Sequence, residues 1–151
     1  MTTLHRTTAA DPHFIQLVQL LDNDLAMRDG EDHSFYDQFN KIIYINHAVV
    51  LYCDEIPVGC GAIKPFDTQS AEVKRMYILP AHRGSGLAGQ ILAELEQWAA
   101  EVGYTQCILE TGKKQPEAIA LYKKNGYEVT ANYGQYHGVE NSVCMCKRLV
   151  G

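Results

Sequence analysis

This 151-residue chain has no excess of positive charge: 13 lysines and arginines stand against 18 acidic residues, for a formal net charge of −5. That balance argues against a general nucleic-acid binder, which would show a basic face, and is compatible with a cationic or amine ligand. Long apolar runs are also missing, and none approaches the roughly 20 residues needed to span a bilayer. The opening Met1-Thr2-Thr3-Leu4-His5-Arg6 lacks the apolar core of a signal peptide. Paired cysteine motifs are scarce. The five cysteines (Cys53, Cys60, Cys107, Cys144 and Cys146) are odd in number and sit inside apolar runs. They read as reduced, buried thiols of a cytoplasmic protein rather than as a disulfide framework. Cys144-x-Cys146 has no second ligand pair, so no metal site is expected. No repeat, low-complexity tract or linker interrupts the chain, and its length suits one domain over residues 1–151.

What is present is an ordinary globular composition, 46% hydrophobic and 21% charged. Leu4 to Thr8 reads as a first strand. Asp11-Pro12 opens a helix whose apolar stripe is Phe14, Leu17, Val18, Leu20, Leu21 and Leu25. Asp29-Gly30-Glu31-Asp32 breaks it, and Phe35 to Asn40 forms a short second helix. Ala48 to Cys53 and Val58 to Lys64 are β-rich runs around a hairpin signal, Asp54-Glu55-Ile56-Pro57. A strand over Ala71–Leu79 precedes a helix over Leu87–Val102, which Gly103 caps. Cys107 to Glu110 is a short buried strand. Pro116 to Lys124 is a helix ended by Asn125-Gly126, and two strands follow between Tyr127 and Leu149. The order predicts an α+β fold: an antiparallel meander runs into one βαβ crossover, with helices on the faces of a mixed sheet.

Between the Ala71–Leu79 strand and the next helix lies Arg83-Gly84-Ser85-Gly86-Leu87-Ala88-Gly89. Glycines there admit close backbone approach, and the helix start offers unpaired N–H groups and the positive end of a dipole to a phosphate. Read as Gly84-x-Gly86-x-x-Gly89, the loop satisfies a dinucleotide fingerprint, with Glu110 about 20 residues on as a ribose-binding acid. Three features oppose this NAD-binding reading. Pro80-Ala81-His82-Arg83 separates the first glycine from its strand. That strand carries Glu72, Lys74 and Arg75 where a buried parallel strand is nearly all apolar. Only one βαβ unit is present. The other register is Arg83-x-x-Gly86-x-Ala88.

Taken with its surroundings, that second register resembles the GCN5-related N-acetyltransferase (GNAT) superfamily over about Val49 to Cys146. The resemblance is carried by Ala71-Glu72-Val73-Lys74-Arg75-Met76-Tyr77-Ile78-Leu79-Pro80 and the glycine loop. It continues in Ala118-Ile119-Ala120-Leu121-Tyr122-Lys123-Lys124-Asn125-Gly126-Tyr127. It implies an acyl-CoA N-acyltransferase fold with a central, mostly antiparallel twisted sheet. The strand ending near Leu79 would be bulged and splayed from the strand ending at Glu110, so that its edge pairs with the pantetheine arm of acetyl-CoA. The implied cofactor contacts are Met76, Tyr77, Ile78, Arg83, Gly84, Ser85, Gly86, Leu87, Ala88, Gly89, Gln115 and Tyr122. Gln115 stands where the family often has asparagine. Lys123 and Lys124 either reach a CoA phosphate or complement the helix dipole.

The implied reaction moves an acetyl group from acetyl-CoA to a primary amine of a small molecule, amino acid derivative or protein, by direct ternary-complex transfer. The alternative of another class is a non-catalytic acyl-CoA sensor. Acetyl transfer needs an acid for the leaving thiolate, a base for the ammonium and an oxyanion donor. Tyr122 is the acid candidate, Glu72 and then Glu110 the base candidates, and a main-chain N–H near Tyr77 or Ile78 the oxyanion donor. Burial beside the splayed strands would raise the Glu72 pKa. The acceptor, an amine-bearing small molecule or peptide, would contact Asp29, Glu31, Asp32, His33, Tyr36, Tyr133, Tyr136 and His137. No nucleic-acid or membrane partner is expected, and homodimerisation is common among such proteins.

Overall fold

The runs of β-branched and apolar residues between 47 and 78 form an antiparallel meander. In a computed structural model, which describes residues 1–29 and 45–149, it comprises β2 (His47–Cys53), β3 (Ile56–Pro65) and β4 (Ser70–Ile78). The β2–β3 turn is Asp54-Glu55, both at positive φ (48° and 71°), the mirror-image geometry that matches strand twist. Ile56 and Pro57, read from sequence as part of the turn, belong to β3. Upstream, β1 (Thr2–Thr7) pairs antiparallel with β2, followed by α1 (Pro12–Asp29). Downstream come α2 (Leu87–Glu101), β5 (Gln106–Gly112), α3 (Pro116–Lys124), β6 (Glu128–Thr130) and β7 (Ser142–Arg148). The predicted short helix over Phe35–Asn40 lies outside the described residues.

One seven-stranded sheet results, in the order β1-β2-β3-β4-β5-β7-β6. Every pairing is antiparallel except β4–β5, which the α2 crossover makes parallel. Successive strand residues point to opposite faces, and each face has a helix. Phe14, Leu17, Val18 and Leu21 of α1 pack on Val50, Cys60, Ala62 and Tyr77. Ile91, Leu92, Leu95 and Ala99 of α2 pack on Val49, Leu51, Val73, Leu109 and Met145. This explains why β2 reads as a continuous apolar run. β4 is the exception: it is just as buried, yet it carries Glu72, Lys74 and Arg75 at 1%, 9% and 5% exposure. Its charges are therefore buried rather than spread on a solvated face, contrary to what their number implied.

Two irregularities of β4 position the site. Between Cys60↔Tyr77 and Ala62↔Lys74 the register advances by one more residue on β4 than on β3, which is a bulge; Arg75 sits in it at φ +60°. On the other side, β4 and β5 pair only at Ser70↔Gln106, Ala71↔Cys107 and Glu72↔Ile108. β5 meanwhile stays paired with β7 through Gly112. Beyond Glu72 the two central strands diverge, and a wedge opens in the middle of the sheet.

Candidate active site

The glycine loop lies at the mouth of this wedge. After a short 3-10 turn at Pro80–His82, Arg83 Nε donates to the Ile78 carbonyl (2.8 Å), and its guanidinium lies 5.4 Å from the Tyr77 ring centre. Ser85 Oγ donates to the His82 carbonyl at 3.2 Å. Gly84 and Gly86 adopt φ +86° and +81°, and an added Cβ would meet nothing within 4 Å at either. They are glycine for backbone conformation, not for lack of room. Gly86 is the N-cap of α2 with no side-chain cap, which leaves the first-turn N–H groups to an anion. Gly89 does something else: a Cβ there would lie 3.0 Å from Asn125 Oδ1, so it permits α2 to pass close to the end of α3.

A cavity of about 370 Å³ runs from this loop along β4 to α3. Of the cofactor contacts implied by sequence, all but Ser85 and Gly89 line it: Met76, Tyr77, Ile78, Arg83, Gly84, Gly86, Leu87, Ala88, Gln115 and Tyr122. Lys124 lines it too, as do Asp24 of α1, His82 and Glu117. A smaller recess of about 120 Å³ shares the Met76, Gln115, Ala118 and Tyr122 wall. Leu21 of α1 lines both spaces, and the other walls of the recess include Leu25 of α1, Lys74 and Arg75 of β4, and Glu110 of β5.

Tyr122 thus stands where the two spaces meet. It is buried, and burial together with the Glu110 charge pushes its pKa up, so it holds its proton at neutral pH. The two carboxylates differ. Glu110 lines the recess with Tyr122. Glu72 lines neither space; it accepts from Tyr133 Oη at 2.6 Å and lies 3.8 Å from both Lys64 Nζ and Lys74 Nζ. Lys74 also donates to Tyr136 Oη at 3.1 Å, and burial pulls its pKa down against the charges of Glu72 and Glu110.

Tyr136 is fully buried beside Tyr133 and Lys74, His137 is exposed, and neither lines the cavity or the recess. Asp29 is the last residue of α1; Glu31, Asp32, His33 and Tyr36 lie outside the described residues. The residues missed were Leu21, Asp24, Leu25, Lys74 and Arg75. Three charges in four residues of an otherwise apolar strand were the available signal for the last two, since buried charges require partners. Arg75 finds one in Asp22, which ties α1 to the β4 bulge.

The sequence signature of the acetyltransferase (GNAT) family matches residues 15–127, spanning α1 through α3. The chain belongs to the GNAT family. It is 36% identical over 98 residues to the uncharacterized N-acetyltransferase YsnE of Bacillus subtilis, covering 64% of each. It is 41% identical over 81 residues to IAA acetyltransferase of Azospirillum brasilense, covering 52% of each. The chain therefore spans about half to two thirds of the length of these relatives. A Klebsiella pneumoniae protein provisionally described as an acyl-CoA N-acyltransferase superposes at TM-score 0.82, with 32% identity and 99% of both chains covered. A GNAT acetyltransferase of Elizabethkingia anophelis, solved with acetyl-CoA bound, shares the fold at TM-score 0.72 and 18% identity, over 98% of both chains. The wedge and the bulge of the present GNAT chain are the features that the sequence resemblance called for. Membership also sets the dinucleotide register aside: Gly86 caps the helix and Gly89 serves helix packing. Among the described residues, no helix of this GNAT chain is long and apolar enough to cross a membrane.

Proposed function

We propose that this chain transfers an acetyl group from acetyl-CoA to a primary amine by direct attack within a ternary complex. The observation that carries the reading is the wedge: a strand-wide cavity leads from an anion-binding loop to a buried tyrosine and opens there onto a recess with a carboxylate. The Arg83–Ala88 loop and the first turn of α2 suit the pyrophosphate, by backbone N–H groups and the helix dipole. The unpaired edge of β4 beyond Glu72 suits the pantetheine amides as an added strand, and its N–H groups near Tyr77 or Ile78 suit the thioester oxyanion. The Ile78 carbonyl already accepts from Arg83 Nε, so it is the Ile78 N–H rather than its carbonyl that suits the cofactor.

In this reading Glu110 takes the proton from the acceptor ammonium, directly or through water. The freed amine attacks the thioester carbon, the C–S bond breaks, Tyr122 Oη hands its proton to the departing thiolate, and the second proton shed by the nitrogen as the amide forms returns to Tyr122 through water. Glu110 is preferred to Glu72 because it faces the recess, whereas Glu72 is committed to Tyr133 and two lysines. An acyl-cysteine route is disfavoured. No cysteine lines either space, and burial pushes the Cys60 and Cys107 thiols up to about 12, so they remain protonated. The deciding experiment is release of free thiol from acetyl-CoA across a panel of primary amines. Amine-dependent release is expected; tight acetyl-CoA binding with no release from any amine would replace the enzyme by a sensor.

A further inference from the structure

The floor of the smaller recess carries two buried cations, Lys74 and Arg75. Buried cations are costly unless anions answer them. Glu72 lies 3.8 Å from both Lys64 and Lys74, so one carboxylate is divided between two lysines. The next negative charge acting on Lys74 is that of Glu110, in the recess itself. Arg75 reaches Asp22 with Nη2, yet its Nε is buried and has no hydrogen-bond partner among the described residues. An unsatisfied buried donor of this kind calls for an acceptor atom.

Among the described residues the charges here close without a ligand: Lys64 and Lys74 balance Glu72 and Glu110, and Arg75 pairs with Asp22. Once Glu110 faces an acceptor ammonium, a simple monoamine leaves the recess with one positive charge in excess. A diamine adds a second ammonium beside Lys74. An acceptor that brings its own carboxylate restores neutrality and supplies oxygens for Lys74 Nζ and Arg75 Nε.

We infer that the recess is a carboxylate subsite in which Lys74 Nζ and Arg75 Nε hold the carboxylate of a small amino acid while Glu110 and Tyr122 face its amine. The inference rests on the acetyl-transfer reading for the position of the amine. The volume of about 120 Å³ limits the bulk of the acceptor, and a lysine within a protein carries no carboxylate near its ammonium.

The test compares L-amino acids, each with its own carboxamide, together with a simple alkylamine and putrescine. Thiol release from acetyl-CoA is followed, and thermal stabilisation is read in parallel with CoA present. At least one small amino acid should exceed its amide about tenfold or more in kcat/KM, the effect of one charge-assisted pair. Lys74→Met should erase that ratio and Lys74→Arg preserve most of it. The wild-type comparison stands even if a variant fails to fold. An amide or putrescine used as well as the amino acid overturns the subsite and leaves acetyl transfer intact. Amino-acid-selective stabilisation without thiol release from any amine keeps the subsite and removes acetyl transfer. No release and no selective stabilisation removes both.

Discussion

Glu72 and Glu110 were interchangeable candidates as letters in a sequence; their surroundings separate them. Glu72 is 1% exposed and anchors Tyr133, Lys64 and Lys74. Glu72→Gln should therefore destabilise the fold by roughly 1–3 kcal/mol, because a buried network loses its charge. Chemical denaturation measures this. Glu110→Gln should instead lower kcat by about a hundredfold or more and remove the acidic limb of the pH profile of kcat/KM. A variant that keeps this limb would return the role of base to water or to Glu72. Tyr122→Phe should lower kcat by about a hundredfold at nearly unchanged acetyl-CoA affinity, read from single-turnover rates and a binding titration. An unaltered kcat would remove its role as acid.

The elements show what could be read in advance. Helices α1, α2 and α3 were legible from apolar periodicity and punctuation, and the bounds of α3 match Pro116–Lys124 as read. Strands were found with ends displaced by a few residues, because pairing rather than local preference decides where they stop. The bulge and wedge were legible only through the family resemblance. No local pattern dictates that β4 and β5 part after Glu72↔Ile108, which depends on contacts distant in sequence. The sequence nominated polar loops for the acceptor, whereas the recess beside Tyr122 is walled by Leu21 and Leu25 of a helix and lined by charges buried in a strand. Two element-scale tests follow. Gly86→Ala places a side chain at φ +81°, so it should cost about 1 kcal/mol of stability and weaken CoA binding further. Denaturation and a binding titration separate the two effects. Backbone amides over residues 73–78 and 109–112 should exchange more slowly with solvent once acetyl-CoA is added, since the cofactor would pair with the open edge.

For the molecule as a whole, buried tyrosines set a limit at high pH. Tyr122, Tyr127 and Tyr136 all have pKa values raised, chiefly by burial, relative to the unfolded chain. A group raised on folding stabilises fully below its unfolded pKa and loses that contribution as pH rises. Stability should therefore begin to fall above about pH 9, as unfolding releases the Cys60 and Cys107 protons, and fall more steeply above about pH 10, as it releases those of the buried tyrosines. Tyrosinate absorbance should rise together with loss of helical circular dichroism; tyrosinate appearing while the fold persists would contradict this. The wedge has a consequence for the molecule's social behaviour. Unpaired strand edges invite other chains to add on, and natural sheets usually shorten or charge them at the rim. Here the rim strands are β1 and the three-residue β6, while the long open edge is the one inside the sheet. Enclosed between its own neighbours, it admits a guest one strand thick and turns away another folded protein, so the surface that recruits a cofactor is withheld from aggregation.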